Sequence, residues 1–172
     1  MDRDELLEVL GNQTRKEALE GLWHNWENAP EWFWQELLEL LNRNSERIQI
    51  SICWLIKRRL SLANDSELAQ KLLANDLTHL APMATVDLCQ GLCQTNLAQV
   101  PADPIRRFLD HCLDHENVFL QAWSLSLLCH LAPLHPEWLD EARSRAEKAG
   151  NSEKASIRAR VRNLRARYAF LN

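Results

Sequence analysis

"ERIQISICWLIKRRL", residues 46–60, is apolar nearly all the way round when wound as a helix. A helix with no polar face is one that neighbours cover on several sides. Within it Ile48, Ile52 and Leu55 stand at i, i+4 and i+7, one helical face. The same spacing recurs downstream as Leu120, Ser124, Leu127 and as Ile157, Val161, Leu164. It recurs more loosely as Thr85, Cys89, Leu92. A face that repeats along a chain belongs to a unit that repeats.

The openings of those units can be read from turn and cap residues. Pro30-Glu31-Trp32 and Pro136-Glu137-Trp138 are the same tripeptide. Asp65-Ser66-Glu67 and Pro101-Ala102-Asp103-Pro104 begin two further apolar-periodic runs between them. The starts at 30, 65, 101 and 136 step by about 35 residues. Proline suits a first helical turn, and Asp or Ser can cap its free N–H groups. Second helices are expected to open near Asn44-Ser45, Pro82, Asn117 and Asn151-Ser152. Upstream, Thr14-Arg15-Lys16-Glu17 reads as a capping box, preceded by a short helix from Arg3 to Leu10. The expected organisation is one domain over 1–172. It has a leading hairpin at 1–28 and repeats at about 30–62, 65–97, 101–132 and 136–169.

"NVFLQAWSLSLLCHLAP" (117–133) and "ASIRARVRNL" (155–164) set a branched or large apolar residue before a polar or basic one, then a small one. In this the chain resembles the HEAT-like class of α-helical repeats, and the resemblance covers nearly its whole length. It implies an all-α fold, an α-α superhelix (a HEAT/armadillo-like solenoid) of about four to five helical hairpins. One hairpin cannot bury its own apolar face, whereas stacked hairpins bury a continuous core. The resemblance also implies a right-handed stack whose second helices line a concave side, acting as a non-catalytic scaffold for protein–protein interaction.

Composition sets the outer limits. The chain is 46% hydrophobic and 26% charged, as in soluble globular proteins, and its four glycines and single tyrosine favour helix over sheet. No apolar run reaches the roughly 18 residues of a membrane span, and "MDRDELLEVL" has none of the features of a signal peptide. The cytoplasm is therefore the expected location, with no membrane partner. Cys53, Cys89, Cys93, Cys112 and Cys129 all fall in apolar helical stretches, so free thiols are expected.

Each constellation has a functional and a structural reading. Trp23, Trp26, Trp32, Trp34 and Trp54 could form an aromatic platform, but packing between repeats accounts for them better. Trp32 and Trp34 cannot share a helical face, so one of them is expected near solvent or against another element. His111 and His115 stand at i, i+4, a metal-binding spacing, yet Cys112 occupies the position where a zincin carries its glutamate. Cys89 and Cys93 have no CxxC companion. No Gly-rich phosphate loop and no G-x-S-x-G elbow occur. No catalytic, cofactor-binding or metal-binding residue is assigned, no cofactor is expected, and the chain is read as not an enzyme.

The net charge of −4 conceals a division. From Ala142 onward nine Lys/Arg face two Asp/Glu, while the preceding stretch holds eleven against twenty-two. In "IRARVRNLRARY", Arg158, Arg162 and Arg165 share one flank of a helix, and Arg160 and Arg167 share the other. Long basic stems can cover apolar edges, and cations suit a helix C-terminus. Arg158 also falls where HEAT-like repeats commonly carry an arginine. Three guanidinia on one flank still exceed what a helix dipole asks for. Arg106 and Arg107 lie in first turns, where the dipole disfavours them. Arg106, Arg107, Arg158, Arg162 and Arg165 are thus the expected partner-binding residues, with a protein of acidic surface as the partner. The alternative is nucleic acid, by similarity in fold to HEAT-like DNA alkylation-repair glycosylases. Their catalytic aspartate has no matching motif here.

Overall fold

The computed structural model describes residues 3–12, 16–42 and 45–172. Among them are ten α-helices and no strand: α1 (Arg3–Asn12), α2 (Lys16–Trp26), α3 (Glu31–Leu41), α4 (Glu46–Ala63), α5 (Ser66–Leu73), α6 (Pro82–Leu92), α7 (Ala102–Leu113), α8 (Val118–Leu131), α9 (Leu139–Gly150) and α10 (Ala155–Arg167). The all-α expectation is met.

The helix openings follow the cap chemistry closely. Asp65 accepts the N–H of Leu68 to cap α5, and Asn117 accepts those of Phe119 and Leu120 to cap α8. Ser45 and Pro82 stand at the starts of α4 and α6, Ser45 without a side-chain cap bond. Two openings differ from expectation. Pro136–Trp138 forms a 3-10 turn and α9 begins only at Leu139, whereas the first Pro-Glu-Trp runs directly into α3. The last helix begins at Ala155, three residues beyond Asn151-Ser152. The Ser152 hydroxyl accepts the Lys154 N–H in a local turn there, and Arg158 holds the Ser152 and Glu153 carbonyls from within the helix. The capping box at Thr14 lies outside the described residues.

Packing follows chain order. The helices α1, α4, α6, α8 and α10 contact one another in that sequence, most extensively between α4 and α6. α3 packs on α4, α5 on α4 and α7, α7 on α8, and α9 on α8 and α10. The recurrent face is the one that buries: Ile52, Leu55, Thr85, Cys89, Leu92, Leu120, Ser124, Leu127, Ile157, Val161 and Leu164 all lie in the core. One apolar cluster runs from Leu6 to Leu164.

Close approach and polar bonding between neighbours set the register. A Cβ on Gly91 of α6 would lie 3.0 Å from the Lys57 Cα of α4, tighter than an ordinary contact, so glycine lets the two helices approach that closely. Asn64, at φ 51°, ends α4 in the left-handed conformation that asparagine tolerates, and its side chain accepts the Asn96 N–H at 2.6 Å. The buried Thr95 hydroxyl donates to the Leu60 carbonyl at 3.3 Å, and the Thr95 carbonyl faces His130 Nε2 at 3.4 Å. The Tyr168 hydroxyl meets His130 Nδ1 at 3.3 Å. The first two links span 35 residues and the third 38, so one polar ladder crosses the ends of α4, α6, α8 and α10 at close to the spacing of the helix openings.

Candidate partner-binding surface

The arginines of the C-terminal third divide into those the fold uses and those it leaves over. Arg106 is used. Its guanidinium bonds Asp110 one turn away on α7 and both carboxylate oxygens of Glu141 on α9, while lying 5.8 Å from the Trp138 ring centroid. The cation that sits oddly in a helix first turn thus has its counter-charges within the chain. Arg145 on α9 reaches the same Glu141 at 2.8 Å and forks onto Asp114 at 2.8 and 3.2 Å. These bonds to Arg106, and then to Arg145, hold the Glu141 carboxyl below its ordinary range; Arg145 does the same for Asp114.

Arg107 faces elsewhere. It is exposed and lines a groove of about 350 Å³ with Asp76, Phe108 and His111, whose walls include no residue of α9 or α10. Arg107 thus lines a groove without the α10 arginines, while Arg106 is committed to Asp110 and Glu141.

On α10 the flank assignment holds, with a difference of role inside it. Arg158 is half-buried and donates to the carbonyls of Ser152 and Glu153 at 2.7 and 2.8 Å, closing the α9–α10 turn. Arg162 and Arg165 are exposed, and Arg165 lies over the end of α9, its Nη2 3.6 Å from where a Gly150 Cβ would stand. On the opposite flank Arg160 stacks 3.7 Å from the centroid of the Trp123 ring on α8. Burial there lowers its pKa from the guanidinium value. Among the described residues, none of Arg158, Arg160, Arg162, Arg165 and Arg167 forms an ion pair. In a chain with 24 acidic and 20 basic residues, five unpaired arginines on one helix are a concentration of uncompensated charge.

Beside this helix lies a groove of about 620 Å³ between the α7–α8 and α9–α10 pairs. Leu113, Leu125 and Ile157 supply its apolar lining, and Lys148, Ala149 and Ser152 line it as well. Spacing alone could not reveal it, because it lies between two helix pairs whose adjacency no periodicity gives.

The other constellations are absorbed by structure. Trp34 is 1% exposed and Trp32 54%, the division their spacing requires. Trp26 stacks on Phe33 at 4.3 Å, and Arg58 lies 5.8 and 5.4 Å from the Trp23 and Trp54 ring centroids. His115 Nδ1 accepts the Asn117 N–H next to the α8 cap, and His111 lines the Arg107 groove. All five cysteines are free and buried, and burial pushes Cys93 and Cys129 up to about 12, so these are packing thiols. Among the described residues no three His, Cys, Asp or Glu side chains are grouped to hold a metal ion, and no helix is long and apolar enough to cross a membrane.

The fold and this surface define an all-helical protein with a basic final helix. No protein-family model, curated protein or solved structure matches the chain.

Proposed function

We propose that the chain is a HEAT-like superhelical repeat module with no catalytic role, which binds an acidic protein surface through α10. The observation that carries this reading is the set of five α10 arginines without a carboxylate partner, one helix away from arginines that are fully paired. Exposed like charges at i, i+3 and i+4 repel one another, so the fold alone has no use for Arg162 and Arg165. The order of contacts from α1 through α10 supports stacking of repeats, and the 35-residue polar ladder supports their common register.

The test is capture from nuclease-treated lysate at low and physiological salt, with wild type and Arg162→Gln/Arg165→Gln compared by mass spectrometry. Wild type retains one or more proteins with acidic surfaces, and the variant loses them while keeping its helical spectrum. Equal retention by both proteins refutes the role of α10. Tight binding of wild type to random duplex, falling steeply with salt, would instead favour nucleic acid as the partner.

A further inference from the structure

We infer that the groove between the α7–α8 and α9–α10 pairs receives an aliphatic side chain of an acidic peptide segment, whose carboxylates meet the cations around the α9–α10 turn. This rests on the proposed role of α10 and names the chemistry of its partner. The groove, of about 620 Å³, lies in the range of small-ligand sites. Its apolar wall comes from Leu113, Leu125 and Ile157. The α9–α10 turn contributes Asn151 and Ser152 to its lining, and Ala149 and Ser152 are small enough to leave room for one large side chain.

Charge selects the ligand. Lys148 is exposed on the groove wall and forms no ion pair among the described residues, although its charge acts on Asp114 together with that of Arg145. Arg158 bonds the carbonyl of Ser152, another wall residue, and Arg165 lies over Gly150 between the lining residues Ala149 and Asn151. Asp114 is the carboxylate in the groove, and the fork of Arg145 already neutralises it. Glu147 and Glu153 of the same turn are exposed and form no ion pair. With Arg145 and Asp114 offsetting each other, Lys148, Arg158 and Arg165 outnumber Glu147 and Glu153 around the turn. A slot with that excess of cation fits a segment in which a leucine-like residue stands between glutamates or aspartates. Nucleic acid fits less well, since phosphates would meet the rim and nothing in a duplex would fill the slot.

Fluorescence anisotropy with two labelled probes tests this. Both are peptides of about twelve residues built from Glu and Asp, one with two central leucines and the other with serines in their place. Wild type is expected to bind the leucine probe about tenfold more tightly, the return from burying one aliphatic side chain. Ala149→Phe, which fills the slot and alters no charge, should bind the two probes equally. Arg162→Gln/Arg165→Gln should weaken both and preserve their ratio. No leucine preference in wild type, or one that survives in Ala149→Phe, overturns the slot while leaving the electrostatic reading intact. Failure of wild type to bind either probe, or displacement of both by random duplex, overturns that reading itself. If Ala149→Phe loses its helical spectrum, the leucine-to-serine ratio on wild type decides alone.

Discussion

His130 makes two ring contacts of opposite sense. A carbonyl can only accept, so Nε2 carries the hydrogen that faces Thr95, and Nδ1 is left to accept from the Tyr168 hydroxyl. That is a neutral imidazole. Burial pulls its pKa below 6.5; the Thr95 bond opposes this and the nearby Arg167 charge adds to it. With the folded pKa depressed, the unfolded chain binds more protons between the two values, so stability rises with pH across that window. It is fully present above 6.5 and declines as pH falls from there toward the folded pKa. We predict that the urea midpoint of wild type drops between pH 7 and 5, and that His130→Gln lessens the drop. An equal drop in both would remove His130 as the cause.

Residue-level legibility was uneven. The parting of Trp32 from Trp34 needs only the helical angle between neighbours, and the structure follows it. The separate role of Arg158 depends on carbonyls of a turn whose geometry no periodicity reveals. Arg106 was legible as anomalous, but its counter-charge on α9 was not, since that requires knowing which helices adjoin.

Between elements, the closest fit is α6 against α4. Gly91→Ala gains about 1 kcal/mol in helix propensity, yet its Cβ would meet Lys57 backbone at 3.0 Å and Leu60 at 3.1 Å. We predict a net loss of about 1–3 kcal/mol in a urea melt. Gly21 in α2 is the control: nothing stands within 4 Å of its Cβ position, so Gly21→Ala should stabilise by about 0.5–1 kcal/mol. Equal effects at the two sites would mean that α4 and α6 do not approach as closely as described. Leu127→Ala and Leu164→Ala, at the same step of the face in α8 and α10, should each cost about 2–5 kcal/mol, because both side chains are buried. A neutral result at either would place the repeat out of register. The buried face of each helix was readable because i, i+4, i+7 survives substitution by Ser124 or Thr85. The small polar residues are buried too, with their hydroxyls bonded to helix carbonyls. The 3-10 turn at the second Pro-Glu-Trp was not readable, because the same tripeptide begins a helix at its first occurrence.

Across the whole molecule, the chain places its acidic excess early and its basic excess late. The described residues are 75% helical, so circular dichroism should report helix in well over half the chain. Some of the late cations serve the fold. Arg106 and Arg145 join α7 to α9 through Glu141 and Asp114, and Arg160 seals α10 to α8 over Trp123. Arg158 closes the α9–α10 turn, whereas the exposed Arg162 and Arg165 form no ion pair and no side-chain hydrogen bond among the described residues, and the account rests on that contrast. Urea melts of Arg106→Gln and of Arg162→Gln/Arg165→Gln test it directly. Arg106→Gln should cost about 1–2 kcal/mol, because it breaks a multi-charge network and uncovers an aromatic face. The double variant should change stability by less than about 1 kcal/mol, or raise it as like charges separate. A double variant as damaging as Arg106→Gln would contradict the account, since those arginines would then belong to the fold and not to a partner.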